Sequence, residues 1–204
     1  MEPYLPAGEL AHDRYHVERV YRWALRLAGE GGASADLVGA AAIVHDLAAI
    51  PKDSPDRALG GTLSAKAAGP LLDEAGYSAQ EAEVILDAVR TSSWSRGYAP
   101  NSPEGAVLQD ADRLDAIGAI GAARCLACAQ YMSKPSRPGR FYHPDDATAE
   151  TDRPLDDVQQ AADHFYAKLL KLSATMHTES ARTEAARRHE SLVRFLNDLA
   201  LDVA

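Results

Sequence analysis

The run Leu37-Val38-Gly39-Ala40-Ala41-Ala42-Ile43-Val44 has no polar face, and it closes on His45-Asp46 before Pro51 stops it. A helix that is apolar all round belongs at the centre of a fold, because any other placement leaves hydrocarbon against water. The rest of the chain must therefore supply amphipathic helices to enclose it. Val17, Val20, Tyr21, Ala24 and Ala28 recur at intervals of three and four and predict a first helix ending at Gly29, Gly31 and Gly32. Ser34 and Asp36 offer N-caps for the apolar helix, expected over 37–47. Further helices are expected over 64–75, stopped by Gly76, and over 79–91, capped by Ser78. Three more are expected over 104–131, 156–175 and 179–201. Residues 92–103 read as loop, and 133–153, with Pro135, Pro138, Gly139 and Pro144, as a long surface excursion. No segment of useful length alternates with the period of a strand. The expectation is all-α: a single-domain helical bundle over 1–204, with a core of about 12–175 and the 179–201 helix packed on it.

Composition narrows the function classes. Apolar residues make up 46% of the 204 and charged residues 25%, the balance of a globular chain that needs no disulfide or metal to fold. Lys and Arg total 21 against 30 Asp and Glu, a net charge of −9, so the basic footprint that grips polymeric nucleic acid is missing. A local basic pocket for a small phosphorylated ligand is compatible with that balance. No apolar run reaches the roughly 18 residues of a membrane span, and residues 1–10 hold no stretch resembling a signal peptide. A cytoplasmic protein without a membrane partner is expected. Cys125 and Cys128 form a C-x-x-C deep inside a helical pattern and read as small core residues rather than a redox pair.

Three short clusters carry the chemistry: His12-Asp13-x-x-His16-x-x-Arg19-Val20, His45-Asp46, and Asp110-Ala111-Asp112-Arg113-Leu114-Asp115. Taken singly, a histidine at a helix start and an acidic triplet on a helix both have a solvated reading. His45-Asp46 is different, because it ends a helix without a polar face and at least one side chain should turn inward. A buried imidazole or carboxylate needs a partner, and a metal or a bonded charge is the usual one. Together the clusters offer imidazoles and carboxylates from three helices, mixed N/O ligation suited to Mn, Mg, Ni, Co or Zn. An ion held that way retains room for water and a phosphate oxygen, polarises phosphorus and acidifies its water, which is the logic of hydrolysis.

The order His…His-Asp…Asp in an all-helical chain resembles the HD-domain superfamily of metal-dependent phosphohydrolases, from about His12 to the 156–175 helix. His45-Asp46 followed by Pro51-Lys52-Asp53-Ser54-Pro55-x-Arg57, and the long Asp110–Gly118 stretch, look like its small stand-alone bacterial branch, which includes nucleotide pyrophosphohydrolases. The resemblance implies His16, His45, Asp46 and Asp112 as ligands of one divalent ion. His12, one turn before His16 on the same face, then lines the pocket, and Asp110 points roughly 160° away from Asp112 on the 3.6-residue period. Asp115 is counted with Asp46 among the catalytic groups, as a carboxylate orienting a water or accepting its proton, with a plain helix-surface carboxylate as the alternative. Lys52 and Arg57 are the first candidates for substrate phosphate. Arg19 is a further one, with bracing of a carboxylate as its other reading. His164 and Lys168, at i and i+4, are candidates to close the pocket, and the 133–153 excursion, with Arg137, Arg140, Tyr142 and His143, for a lid.

Two departures refine the expectation. No histidine lies between 46 and 112, and Ser92 stands where related sequences often have one, which disfavours a two-metal site. Ala49 stands where the 5′-nucleotidase branch has a glutamate. The expected function is hydrolysis of a phosphoester or phosphoanhydride bond of a nucleotide or similar small metabolite by metal-activated water. A module that binds metal and a phosphorylated ligand for sensing is the alternative, and a buried polar knot that binds nothing is a third. Monomer and homodimer both stay open.

Overall fold

Asp13 caps the first helix, α1 (Arg14–Leu27), by accepting from the His16 N–H, and α1 buries His16, Val17, Val20, Ala24 and Leu27. The computed structural model describes residues 10–48, 50 and 54–204, apart from the side chains of 55 and 57. Ser34 caps α2 (Ala35–Val44), which packs against α1, α4 and α5 as a helix with no polar face requires. It ends at Val44 rather than at 47, because the His45 ring takes the Ala42 carbonyl that another helical turn would have used. His45 and Asp46 therefore occupy the turn beyond the helix, where both side chains can bend toward one point.

A 3-10 turn (Pro55–Leu59) leads into α3 (Gly60–Glu74), which begins ahead of the expected 64. It packs on α4 (Ala79–Thr91), whose capping box pairs Ser78 with Glu81. The single helix expected over 104–131 is two: α5 (Pro103–Asp115) and α6 (Gly118–Met132). Periodicity could not show the break, since both halves continue the same apolar pattern. Gly118 adopts φ +77°, and a Cβ on Gly121 would stand 2.3 Å from the Ala116 carbonyl oxygen, so glycine is required at both positions. The break brings Arg124 of α6 back to Asp115 at the end of α5.

Residues 133–160 contain isolated bridges and no strand among the described residues. Buried Asp146 ties this excursion together, accepting from Glu150 N, Thr151 Oγ1 and Arg153 Nε, while Arg153 also reaches Asp163. The helix expected from 156 starts at 161, because Asp156 accepts from the Val158 and Gln159 N–H groups and holds a turn there. It runs as α7 (Ala161–His164), a π-turn (Phe165–Leu169), α8 (Leu170–Leu172) and a 3-10 turn (Ser173–Thr175). Finally α9 (Glu179–Asp202) packs on α6, with Phe195 stacked on Phe165. Among the described residues no helix is long and apolar enough to cross a membrane.

Glu184 of α9 accepts from Arg187 and Arg188, and those bonds hold its carboxyl down at about 2 against partial burial. A depressed carboxylate stabilises the fold fully above its ordinary value of 4.5 and loses that contribution as pH falls toward about 2. Urea unfolding of the parent and of Glu184→Gln should therefore differ at neutral pH and converge across that window.

Candidate metal centre

Three elements meet where α1, the turn after α2, and α5 converge. His16 comes from α1, His45 and Asp46 from the turn, Asp112 and Asp115 from α5. Each histidine has its Nδ1 committed to an acceptor: His16 to the Asp115 carboxylate at 2.8 Å, His45 to the Ala42 carbonyl at 2.8 Å. Neither a carbonyl nor an ionised carboxylate can donate, so both Nδ1 atoms carry a proton and both Nε2 atoms are turned toward the cluster. Those two Nε2 atoms face each other at 3.3 Å. Asp46 Oδ2 stands 3.4 Å from each of them, and Asp112 Oδ1 stands 3.8 Å from that of His16. One ligand atom from each of His16, His45 and Asp112 falls within 4.8 Å of the others.

The carboxylates gathered here call for positive charge beside them, which a proton on an imidazole or a metal ion in its place supplies. Burial alone would lower the His45 imidazole, yet Asp46 beside it and Asp112 push it up to about 9. Burial likewise works against an ionised Asp46, but the two imidazoles hold its carboxyl well below the usual range. Two imidazole nitrogens and carboxylate oxygens make a donor set that fits a divalent ion such as Mn, Mg, Ni, Co or Zn.

Asp115 is 1% exposed, which removes the helix-surface reading. It is also turned away from the role of proton acceptor. Besides His16 Nδ1, it accepts from Arg19 Nε at 2.6 Å and Arg19 Nη2 at 3.1 Å, and it forms an ion pair with Arg124 Nη1 at 3.0 Å. Burial opposes its charge, but these partners hold its carboxyl far below the ordinary value. Its bond to Nδ1 sets the tautomer and direction of the His16 ring. Arg19, a candidate for substrate phosphate, is engaged in that brace instead.

A cavity of about 540 Å³ opens on the cluster, with His45, Asp46 and Asp112 in its wall. His12 lines it too, its ring 5.8 Å from that of His16. His164 and Lys168 both line it, as their spacing suggested, and so does Ser92, where the missing histidine would have stood. Lys168 Nζ lies 5.7 Å from the centroid of the Trp94 ring, another lining residue. Cys125 and Cys128 are buried in the core and form part of the same wall. Asp110 points away, as the helical period requires. It caps the start of α9 by accepting from His177 N, Thr178 N and Thr178 Oγ1. Lys52 and the side chain of Arg57 lie outside the described residues. Arg137, Arg140, Tyr142 and His143 are not among the described residues of the cavity wall. Sequence reasoning missed Arg124, whose signal was a single charge in the otherwise apolar stretch 118–129.

Comparison with known proteins agrees with this geometry. The model of the HD domain matches residues 14–117, the span from α1 through α5 that carries every residue of the cluster. YpgQ of Bacillus subtilis is 33% identical over 196 residues, which cover 94% of this chain and 84% of that protein. The crystal structure of YpgQ in complex with ADP aligns with a TM-score of 0.71 and 31% identity over 97% of this chain and 92% of that one. An HD-superfamily hydrolase from Bacillus thuringiensis aligns with a TM-score of 0.63 and 30% identity, over 94% and 86% of the two chains.

Proposed function

Because the chain belongs to the HD domain family, we propose that it is a phosphohydrolase that uses one divalent metal ion to cleave a phosphoester or phosphoanhydride bond of a nucleotide or similar small phosphorylated metabolite. The observation that carries this reading is the pair of imidazole Nε2 atoms facing each other at 3.3 Å beside two carboxylates. His16, His45, Asp46 and Asp112 would hold the ion. Bound there, it supplies Lewis-acid polarisation of a phosphoryl oxygen and an acidified water. The binding of ADP by YpgQ supports a nucleotide as the ligand, and the cavity of about 540 Å³ falls within the range of small-molecule sites.

The protein's own groups have separable tasks. Asp115, gripped at both oxygens by Arg19, keeps His16 aimed at the cluster. Asp46 and Asp112 repel an anionic ligand until a cation neutralises them, so substrate and ion should bind in a coupled way. His12 is placed to hydrogen-bond a phosphate oxygen at the cavity wall, and the apolar wall of Cys125, Cys128 and Leu172 limits water.

The test is hydrolysis of nucleoside di- and triphosphates with each candidate metal added, resolving phosphate from pyrophosphate. Turnover should appear with metal and vanish with a chelator. Tight nucleotide binding without turnover in any metal would assign the chain instead to a ligand-sensing role.

A further inference from the structure

Arg124 is the residue that the cluster does not explain. It lies on α6 with a side chain 11% exposed, and it lines the cavity. Its Nε donates to the Ala11 carbonyl at 2.7 Å, and its Nη1 forms an ion pair with Asp115 Oδ2 at 3.0 Å. These two contacts tie the guanidinium to the chain entering α1 and to the end of α5. The Nη2 group donates to no described residue, and it is not among the fully buried atoms that lack a partner. A guanidinium held in place by two of its three nitrogens, on a side chain that lines the cavity, is pre-organised to offer the third to an acceptor there.

Asp115 does not need Arg124 for its position. Arg19 already grips both of its oxygens, through Nε and Nη2. A brace alone would have been complete without a second guanidinium brought from another helix. The other described arginine of the cavity wall, Arg113, is committed elsewhere: Nη1 donates to the Thr175 carbonyl and Nη2 to Gln109.

We infer that Arg124 binds an anionic oxygen of the ligand, a phosphate or phosphoanhydride oxygen, through Nη2, next to the His16–Asp115 pair. This assignment rests on the phosphohydrolase reading and gives it a substrate contact. The chemistry recognised is a tetrahedral oxyanion carried by the ligand beside the metal. Asp115 Oδ2 meets both His16 Nδ1 and Arg124 Nη1, so metal and ligand are positioned from a single buried carboxylate oxygen.

The test uses Arg124→Gln and Arg124→Lys in the full chain, with two calorimetric titrations: Mn²⁺ into the metal-free protein, and pyrophosphate into the Mn²⁺-loaded protein. Loss of one charge-assisted bond to the anion should weaken pyrophosphate binding by about tenfold to a hundredfold in Arg124→Gln. Arg124→Lys should recover part of that loss. Mn²⁺ affinity should change by less than about threefold in both, because Arg19 keeps Asp115 in place. Unchanged pyrophosphate affinity in Arg124→Gln, or a fall only in step with Mn²⁺ affinity, would overturn the assignment and leave Arg124 a brace. Failure of the parent protein to bind pyrophosphate with metal present would instead count against the phosphohydrolase reading itself.

Discussion

Asp115→Ala is expected to destabilise the fold by about 3–5 kcal/mol, the cost of leaving buried charges without their partner. The substitution removes the common acceptor of His16, Arg19 and Arg124 at a position 1% exposed. Arg19, with 29% of its side chain exposed, can turn back to water, which places the effect toward the lower end of that range. Urea unfolding, with the denaturant slope checked for constancy, measures it. Variant that stays folded should also bind metal more weakly by about tenfold to a hundredfold, because His16 is no longer held in its tautomer. A loss of stability below about 1 kcal/mol would mean that Asp115 is not the hinge between α1, α5 and α6.

Asp112→Ala should behave in the opposite way. Its carboxylate is one-third exposed, so water screens both its attraction to the imidazoles and its repulsion from Asp46. Stability should change by less than about 1 kcal/mol. Metal-dependent turnover should fall by about a thousandfold or more, the rate equivalent of losing several kcal/mol of electrostatic stabilisation by the ion. The pairing of these outcomes separates the readings. An enzyme loses turnover while staying folded, whereas a polar knot that binds nothing would lose stability of about 1–3 kcal/mol. Parallel unfolding and nucleotide-hydrolysis assays on the one variant make the distinction.

Helix positions and the cluster followed from sequence where a local rule sufficed. Ser78 with Glu81 announced the start of α4, and the apolar run 37–44 announced the central helix. His16, His45, Asp46 and Asp112 came from a family resemblance, and their convergence depends on α2 ending at Val44, which the apolar pattern overran. The break at Gly118 was hidden because α5 and α6 share a period, and glycine in an apolar helix has an innocent reading. Asp115 read as a proton-accepting catalytic group or as a surface carboxylate, and its bracing role stayed hidden because its three partners come from positions 16, 19 and 124, distances along the chain that no local pattern carries. Arg124 was absorbed into an apolar run, although a lone arginine there requires a buried acceptor. Asp146, Arg153 and Asp163 likewise form a network within a stretch that reads only as proline-rich loop.

The central claim is that two imidazoles and two carboxylates converge to hold one cation. Calorimetric titration of Mn²⁺ into metal-free protein, repeated on His45→Ala and Asp112→Ala shown to be folded, tests it without reference to any substrate. The account predicts one ion per chain in the parent and affinity at least about a hundredfold weaker in each variant. Two ions per chain, no binding by the folded parent, or equal binding by parent and variants would contradict it.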